Sequence, residues 1–262
     1  MKYYFLILFT LCLLPYKSIA QDFGQNDEPI EISADNDLQW IQDAKQYIAN
    51  GNVEVIQGEN TIYADQLIAD YKEENGKTKI WQIVATKNVR LNNADSQATA
   101  QKAVYNFDTG AAILTGNNLK LTSKDQVITA TQSLTYNMND GTAEAKGNAM
   151  IKRPQDSLRA DVIKAKFSEI NGQQRLKTAQ ANGNVIIQTA QEKITGDNGQ
   201  YDAVKNTAQI NGNIVITRGP NKLEGAKAIV DLTSNVSKIY GAPEKNKRVK
   251  GVFFPTSRKD LE

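Results

Sequence analysis

Four aspartates, Asp35, Asp65, Asp161 and Asp197, each follow a small residue at the same place in a repeating pattern. A ladder of carboxylates could bind calcium. An aspartate after a small residue also suits a bulge or bend, where its side chain bonds local backbone. Two further copies carry Thr131 and Ala226 at that place, which favours the structural role. The basic residues Lys87, Arg90, Lys152 and Arg153 could meet phosphates at a rim, or form a solvated strand face. The chain has no histidine, so the commonest general base and metal ligand is missing. No pair of acids stands out from the repeated background as a hydrolytic dyad. No Gly-x-x-x-x-Gly-Lys-Ser/Thr loop is present to cradle a nucleotide. The residues call for no catalysis, no cofactor and no metal.

What recurs most regularly is apolar. The first series is Val53, Val89, Leu119, Ala149, Val185 and Ile214, and the second, of small residues, is Ala64, Ala100, Ala130, Ala160, Gly196 and Gly225. The two are 11 residues apart in every copy. Two places before each small residue stands Ile62, Ala98, Ile128, Leu158, Ile194 or Leu223. Pairs such as Val53/Val55, Val89/Leu91, Leu119/Leu121, Val185/Ile187 and Ile214/Ile216 alternate with polar residues, the period of a strand with one apolar face. An array of two-strand units places function on an assembled surface rather than in one pocket.

The steps between copies are 36, 30, 30, 36 and 29 residues. The long steps hold Asn75-Gly76 and Asn171-Gly172, the chemistry of tight hairpins. Together they give a longer period of 96 residues, a duplicated half dividing near residues 125–130. Gly116-Asn117-Asn118 has one residue more than its counterpart Gly212-Asn213, which reads as a β-bulge. Leu67-Ile68-Ala69-Asp70-Tyr71 fits no single face, so a bulge or change of facing is expected there. Turn clusters fall at Asn137–Gly141, Asn206-Thr207 and Ser234-Asn235. About fourteen strands result, starting from the half unit Ile32-Ser33-Ala34-Asp35. Hairpin turns favour antiparallel neighbours, with a parallel β-helix as the alternative.

Residues 1–20 read as a secretory signal peptide: Lys2, the apolar run Tyr3–Leu14, then Ser18-Ile19-Ala20 before cleavage at Gln21. The only cysteine, Cys12, leaves with it, so the mature chain has no disulfide and no thiolate chemistry. Without Lys2 and Lys17, the 31 basic residues fall to match the 29 acids. A balanced chain is not built to grip polyanions, and nucleic acid is not an expected partner. Residues 21–243 form the repeat domain, and the basic segment 244–262 is expected to be a flexible tail.

The units Ala49-Asn50-Gly51-Asn52-Val53-Glu54-Val55 and Ile62-Tyr63-Ala64-Asp65-Gln66-Leu67 resemble the repeat of the lipopolysaccharide-export bridge (LptA/OstA-like) family. The match recurs at Gly183-Asn184-Val185 with Thr195-Gly196-Asp197, and at Gly147-Asn148 with Arg159-Ala160-Asp161. Pro29–Asp35 resembles the family's opening strand, and Lys87, Thr131 and Ala226 depart from its pattern. The resemblance implies an all-β, twisted antiparallel β-jellyroll of six to seven two-strand repeats with an open groove. It implies a periplasmic carrier of lipopolysaccharide, with lipid A acyl chains in the apolar interior. Partners would be the inner- and outer-membrane export components, joined through edge strands, with head-to-tail self-association. The candidate edges are Ile30–Ala34 and Ile229–Ile239. Groove-lining residues would then be Val53, Val55, Ile62, Val89, Leu91, Leu121, Ile128, Ile151, Leu158, Val185, Ile187, Ile194, Ile214, Ile216 and Leu223. On residue type alone the same set is ordinary sandwich core. The other readings are a structural or adhesive surface solenoid without a lipid, and a polysaccharide-processing β-helix enzyme.

Overall fold

The computed structural model describes residues 28–170, 173–234, 236–242 and 248–254. The signal segment, the Asn171-Gly172 turn and Asn235 lie outside the described residues. Every regular element within them is a strand.

The strands follow one another as an antiparallel meander. β1 (Glu31–Ser33) and β2 (Asp37–Ile41) share the first row, both paired with β3 (Gln46–Gln57). β4 (Asn60–Glu74), β5 (Lys77–Asn92) and β6 (Ser96–Asn106) come next. β7 (Ala111–Thr115) and β8 (Leu119–Ser123) share a row, and β9 (Val127–Ala130) and β10 (Ser133–Asn137) the one after. Then follow β11 (Thr142–Lys152), β12 (Ser157–Ile170), β13 (Gln173–Gln188), β14 (Lys193–Asp202), β15 (Thr207–Arg218) and β16 (Asn221–Asp231). β17 (Val236–Tyr240) and β18 (Lys250–Val252) close the array on β16. The eighteen strands thus make fourteen rows, or seven two-row repeats, and all pairs are antiparallel. A parallel β-helix is excluded.

Nearly every row is bent at one level. Gly51-Asn52 stands opposite Asp65 alone, and Lys87-Asn88 opposite Gln101. Gly147-Asn148, Gly183-Asn184 and Gly212-Asn213 face Asp161, Asp197 and Ala226 in the same way. In each pair the asparagine has positive φ, between 41° and 51°. Two residues against one is a β-bulge, which turns the strand and raises its local twist. Stacked row on row, these bulges form a continuous corner. The buried set on β4 is Ile62 and Ala64 before the corner, then Leu67, Ala69 and Tyr71 after it. The bend lies at Asp65, ahead of the run Leu67–Tyr71, which keeps one face inward. The bulge expected in that run is at its end, where Asp70 pairs with Gln82 and Tyr71 with Ile80, leaving Trp81 extra on β5.

The middle of the sheet departs from the expected single-residue bulge. Lys102 pairs with Thr115 and Thr99 with Lys120, so four residues on one strand answer two on the other. Two extra residues are more than a ladder absorbs, and the row breaks into β7 and β8. The last edge also differs. Ile229–Asp231 lies inside β16, paired on both sides, and the outer row is β17 with β18. Residues 250–252, in the segment expected to be a free tail, pair with Lys222–Glu224 of β16.

Candidate functional site

The corner divides every long strand into a short half and a long half, and both bury their inner residues in one continuous apolar cluster. All fifteen residues expected to line an interior lie in the short half. Val53, Val55, Ile62, Val89, Ile151, Leu158, Val185, Ile187, Ile194, Ile214 and Ile216 are buried. Leu91, Leu121, Ile128 and Leu223 are partly buried and pack against them.

The opposing long half went unread in the sequence. Its inner positions include Ala49, Ala85, Leu114, Ala145, Ala181 and Ile210, all buried. The signal was present: each stands four residues before the first apolar series, or five where the extra residue at 116–118 intervenes. Alanine carries little hydrophobic weight, so alternation was hard to see. Bulk on one half meets small residues on the other. At Gly196 and Gly225 a Cβ would come within 2.5 and 2.4 Å of Cγ2 of Ile210 and Ile239 on the neighbouring strands, so the two halves meet tightly beside the corner there. Nearer the first rows they leave a cavity of about 50 Å³ lined by Ile62 and Leu91 of the short half and Ile83, Ala103, Tyr105 and Leu114 of the long half.

The repeated aspartates sit at the corner. Asn52 donates from Nδ2 to Asp35 at 2.7 Å and Asn184 to Asp161 at 2.9 Å. Asn88 bonds Asp65 at 3.0 Å and Asn213 bonds Asp197 at 3.0 Å. Each carboxylate therefore holds the left-handed asparagine of the next row. No group of three or more acids close enough to share a metal ion occurs among the described residues. Of the four basic residues, Lys87, Arg90 and Lys152 are exposed, and Arg90 stacks over the Tyr63 ring at 4.9 Å. Arg153 alone of the four points inward.

The two halves end in rims of opposite character, and among the described residues no strand pairing joins one rim to the other. The long-half rim carries Tyr71, Phe107, Met138, Phe167, Ala203 and Leu232, each donating its N–H to a carbonyl of the adjacent hairpin. Near its start, Tyr47 stacks between Trp40 and Tyr71, and the Trp40 indole N–H bonds the Tyr71 hydroxyl at 2.9 Å. The short-half rim is polar throughout. Its inward positions are Gln57/Asn60, Asn93/Ser96, Ser123/Gln126, Arg153/Asp156, Thr189/Glu192 and Arg218/Asn221. Arg153 Nε lies 3.5 Å from Asp156 Oδ1, and Arg218 Nε 3.6 Å from Glu192 Oε1. Both carboxylate oxygens are buried without a hydrogen bond. Burial pushes the Glu192 carboxyl above its ordinary pKa, and the Arg218 charge opposes this in part.

Exposed large apolar side chains are Ile56, Ile113, Ile170 and Val204 along the array and a larger group at its two ends. Leu38 and Trp40 stand on the first row, and Val236, Tyr240, Val252, Phe253 and Phe254 on or beside the last.

A bent antiparallel meander with a shared apolar interior and two unpaired outer rows defines a repeat-built β-jellyroll. The family described as "LptA/(LptD N-terminal domain) LPS transport protein" matches the chain twice, over residues 31–132 and 128–236, and the chain belongs to it. The two matches overlap within a few residues of where the 96-residue period divides the sequence. The chain is also 29% identical over 138 residues to an uncharacterized protein of Rhizobium meliloti (strain 1021), covering 51% of this chain and 72% of that one. Among solved structures it is similar to LptH, the LptA homologous periplasmic component of the lipopolysaccharide transport device of Pseudomonas aeruginosa. The identity there is 11%, with 88% of this chain and 99% of that one covered, and the TM-score is 0.22. So loose a superposition carries no argument.

Proposed function

We propose that this chain carries lipopolysaccharide through the periplasm as part of the bridge between inner and outer membranes, its acyl chains held in the interior between the two halves. The observation that carries this reading is the apolar interior, which continues through the rows of a chain belonging to a lipopolysaccharide transport family. Each methylene hidden from water is worth about 0.8 kcal/mol, so such an interior binds hydrocarbon without specific polar contacts. Lipid would enter between the rims, which no strand pairing joins among the described residues. The fifteen short-half residues would line the interior.

The outer rows offer unpaired backbone, the template for another strand. β1 with β2 at one end and β17 with β18 at the other would join the membrane-bound export components, or further copies head to tail. Cleavage near Ala20-Gln21 would release the chain into the periplasm. The chain supplies a path, and a partner supplies the energy.

The test is photocrosslinking from Leu91 or Ile128, at the cavity and its neighbouring row, in cells making labelled lipopolysaccharide. A lipid adduct at either position is expected. Absence of adducts at both, with lipopolysaccharide still reaching the outer membrane after the protein is depleted, would sink the carrier reading in favour of a lipid-free surface solenoid.

A further inference from the structure

The two rims differ in a way that a uniform apolar groove does not require. Twelve inward positions on the short-half rim are all polar or charged, whereas the long-half rim sets Tyr71, Phe107, Met138, Phe167, Ala203 and Leu232 opposite Lys45, Trp81, Gly110, Gly141, Lys177 and Asn206, so that about half of it is apolar. A plain sandwich would bury similar residues at both ends of its strands. An amphiphile lying between the halves has one polar end, which must leave through the gap between these rims. Burying a polar group without partners costs free energy, so it will follow the side that offers them.

We propose that the short-half rim is a track for the headgroup of the carried amphiphile, with Arg153 and Arg218 as contacts for its anionic, phosphate-bearing groups. This rests on the carrier reading above. The two arginines are the only cations among the twelve inward rim positions. Their side chains are 27% and 39% exposed, so they are reachable from outside while anchored inside. Each faces a carboxylate, Arg153 Nε at 3.5 Å from Asp156 and Arg218 Nε at 3.6 Å from Glu192, and Arg218 also donates from Nη2 to Gln191 Oε1 at 2.7 Å. A guanidinium has five donors in a fixed fork that suits phosphate oxygens in pairs. The buried carboxylates keep the arginines in place before lipid arrives, and the phosphate adds partners to them.

Two experiments test this on the whole mature chain. In the first, lipopolysaccharide carries a photoreactive azide on its headgroup sugars or a diazirine at its acyl ends, and the labelled peptides are mapped. The headgroup probe should label hairpins 92–96, 123–127, 152–157 and 188–193, and the acyl probe the interior positions. Headgroup label on hairpins 107–110 and 138–141 instead overturns the proposal while the acyl label still upholds the carrier. Loss of acyl label from the interior overturns the carrier reading itself. In the second, the double variant Arg153→Gln/Arg218→Gln is compared with the native chain. Affinity for phosphorylated lipopolysaccharide should fall about tenfold, with little change for its enzymatically dephosphorylated form. Equal losses for both forms remove the arginines from the proposal. Competition by millimolar inorganic phosphate as strong as that by lipid would reduce the track to a phosphate site and overturn it.

Discussion

The corner bulges make a prediction that can be worked through from distances. Gly76 and Gly183 share nearly the same backbone, with φ of +74° and +76°. An alanine at either position pays for a left-handed conformation, about 1 kcal/mol. At Gly76 nothing lies within 4 Å of the added Cβ, so the cost stops there. At Gly183 the Cβ would stand 2.2 Å from Asp161 Oδ2 and 2.8 Å from its Cγ, so the carboxylate must swing away. That breaks its bond from Asn184, 2.9 Å long and exposed, for about another 1 kcal/mol with some residual crowding. Gly183→Ala should therefore cost about 2–3 kcal/mol and Gly76→Ala about 1 kcal/mol, read from urea midpoints. In thermal unfolding the difference is a further shift of about 2–8 °C for a chain of this size. In an Asp161→Ala background the excess at Gly183 should vanish, a coupling measured by the double-mutant cycle. Equal losses at both glycines, or an excess that survives removal of Asp161, would refute the account of the corner as a side-chain lock.

Two further outcomes follow from single residues. Lys87 stands where other copies have glycine and is held at φ 63°, so Lys87→Gly should stabilise the chain by up to about 1 kcal/mol in urea unfolding. A loss of stability there would mean the lysine makes a compensating contact. Glu192 has a folded pKa raised by burial, so the native state holds its proton more tightly than the unfolded chain. Its contribution to stability is then fullest in acid and is lost as pH rises from the ordinary carboxylate range through the raised value. Glu192→Gln should remove that slope and be more stable than the native chain at neutral pH, measured as urea midpoint against pH. A variant less stable than the native chain at neutral pH would show that the pair with Arg218 outweighs the burial penalty.

How much of this was legible follows from residue type. Strands of the short half announce themselves because Val, Ile and Leu alternate with polar neighbours, as at Val185/Ile187. The run Leu67–Tyr71, which shows no clear face in the sequence, buries Leu67, Ala69 and Tyr71 together just after the corner. The corner itself was half visible in the recurring Gly-Asn and Ala-Asp pairs. Their partnership was hidden, because Asp161 bonds an asparagine 23 residues away and no local rule pairs them. The long half escaped for a different reason. Ala49, Ala85, Ala145 and Ala181 are buried by the geometry of the bend rather than by strong hydrophobicity of their own. A residue that is small because something larger stands opposite leaves a weak mark in one dimension.

The same reasoning explains why the rims were missed and why they matter. Gln57, Asn93, Ser123, Arg153, Thr189 and Arg218 stand four residues after the first apolar series, and each looks like an ordinary turn residue. Turn residues are polar in most proteins, so polarity on one rim alone proves little. The long-half turns are the internal control. They too close antiparallel hairpins, yet Tyr71, Phe107, Phe167 and Leu232 stand there opposite Lys45, Trp81, Gly141 and Asn206. Hairpin closure therefore does not dictate polarity in this sheet. Whatever keeps one rim wholly polar and lets the other be half apolar acts on the space between them, where an amphiphile passing edgewise would meet both.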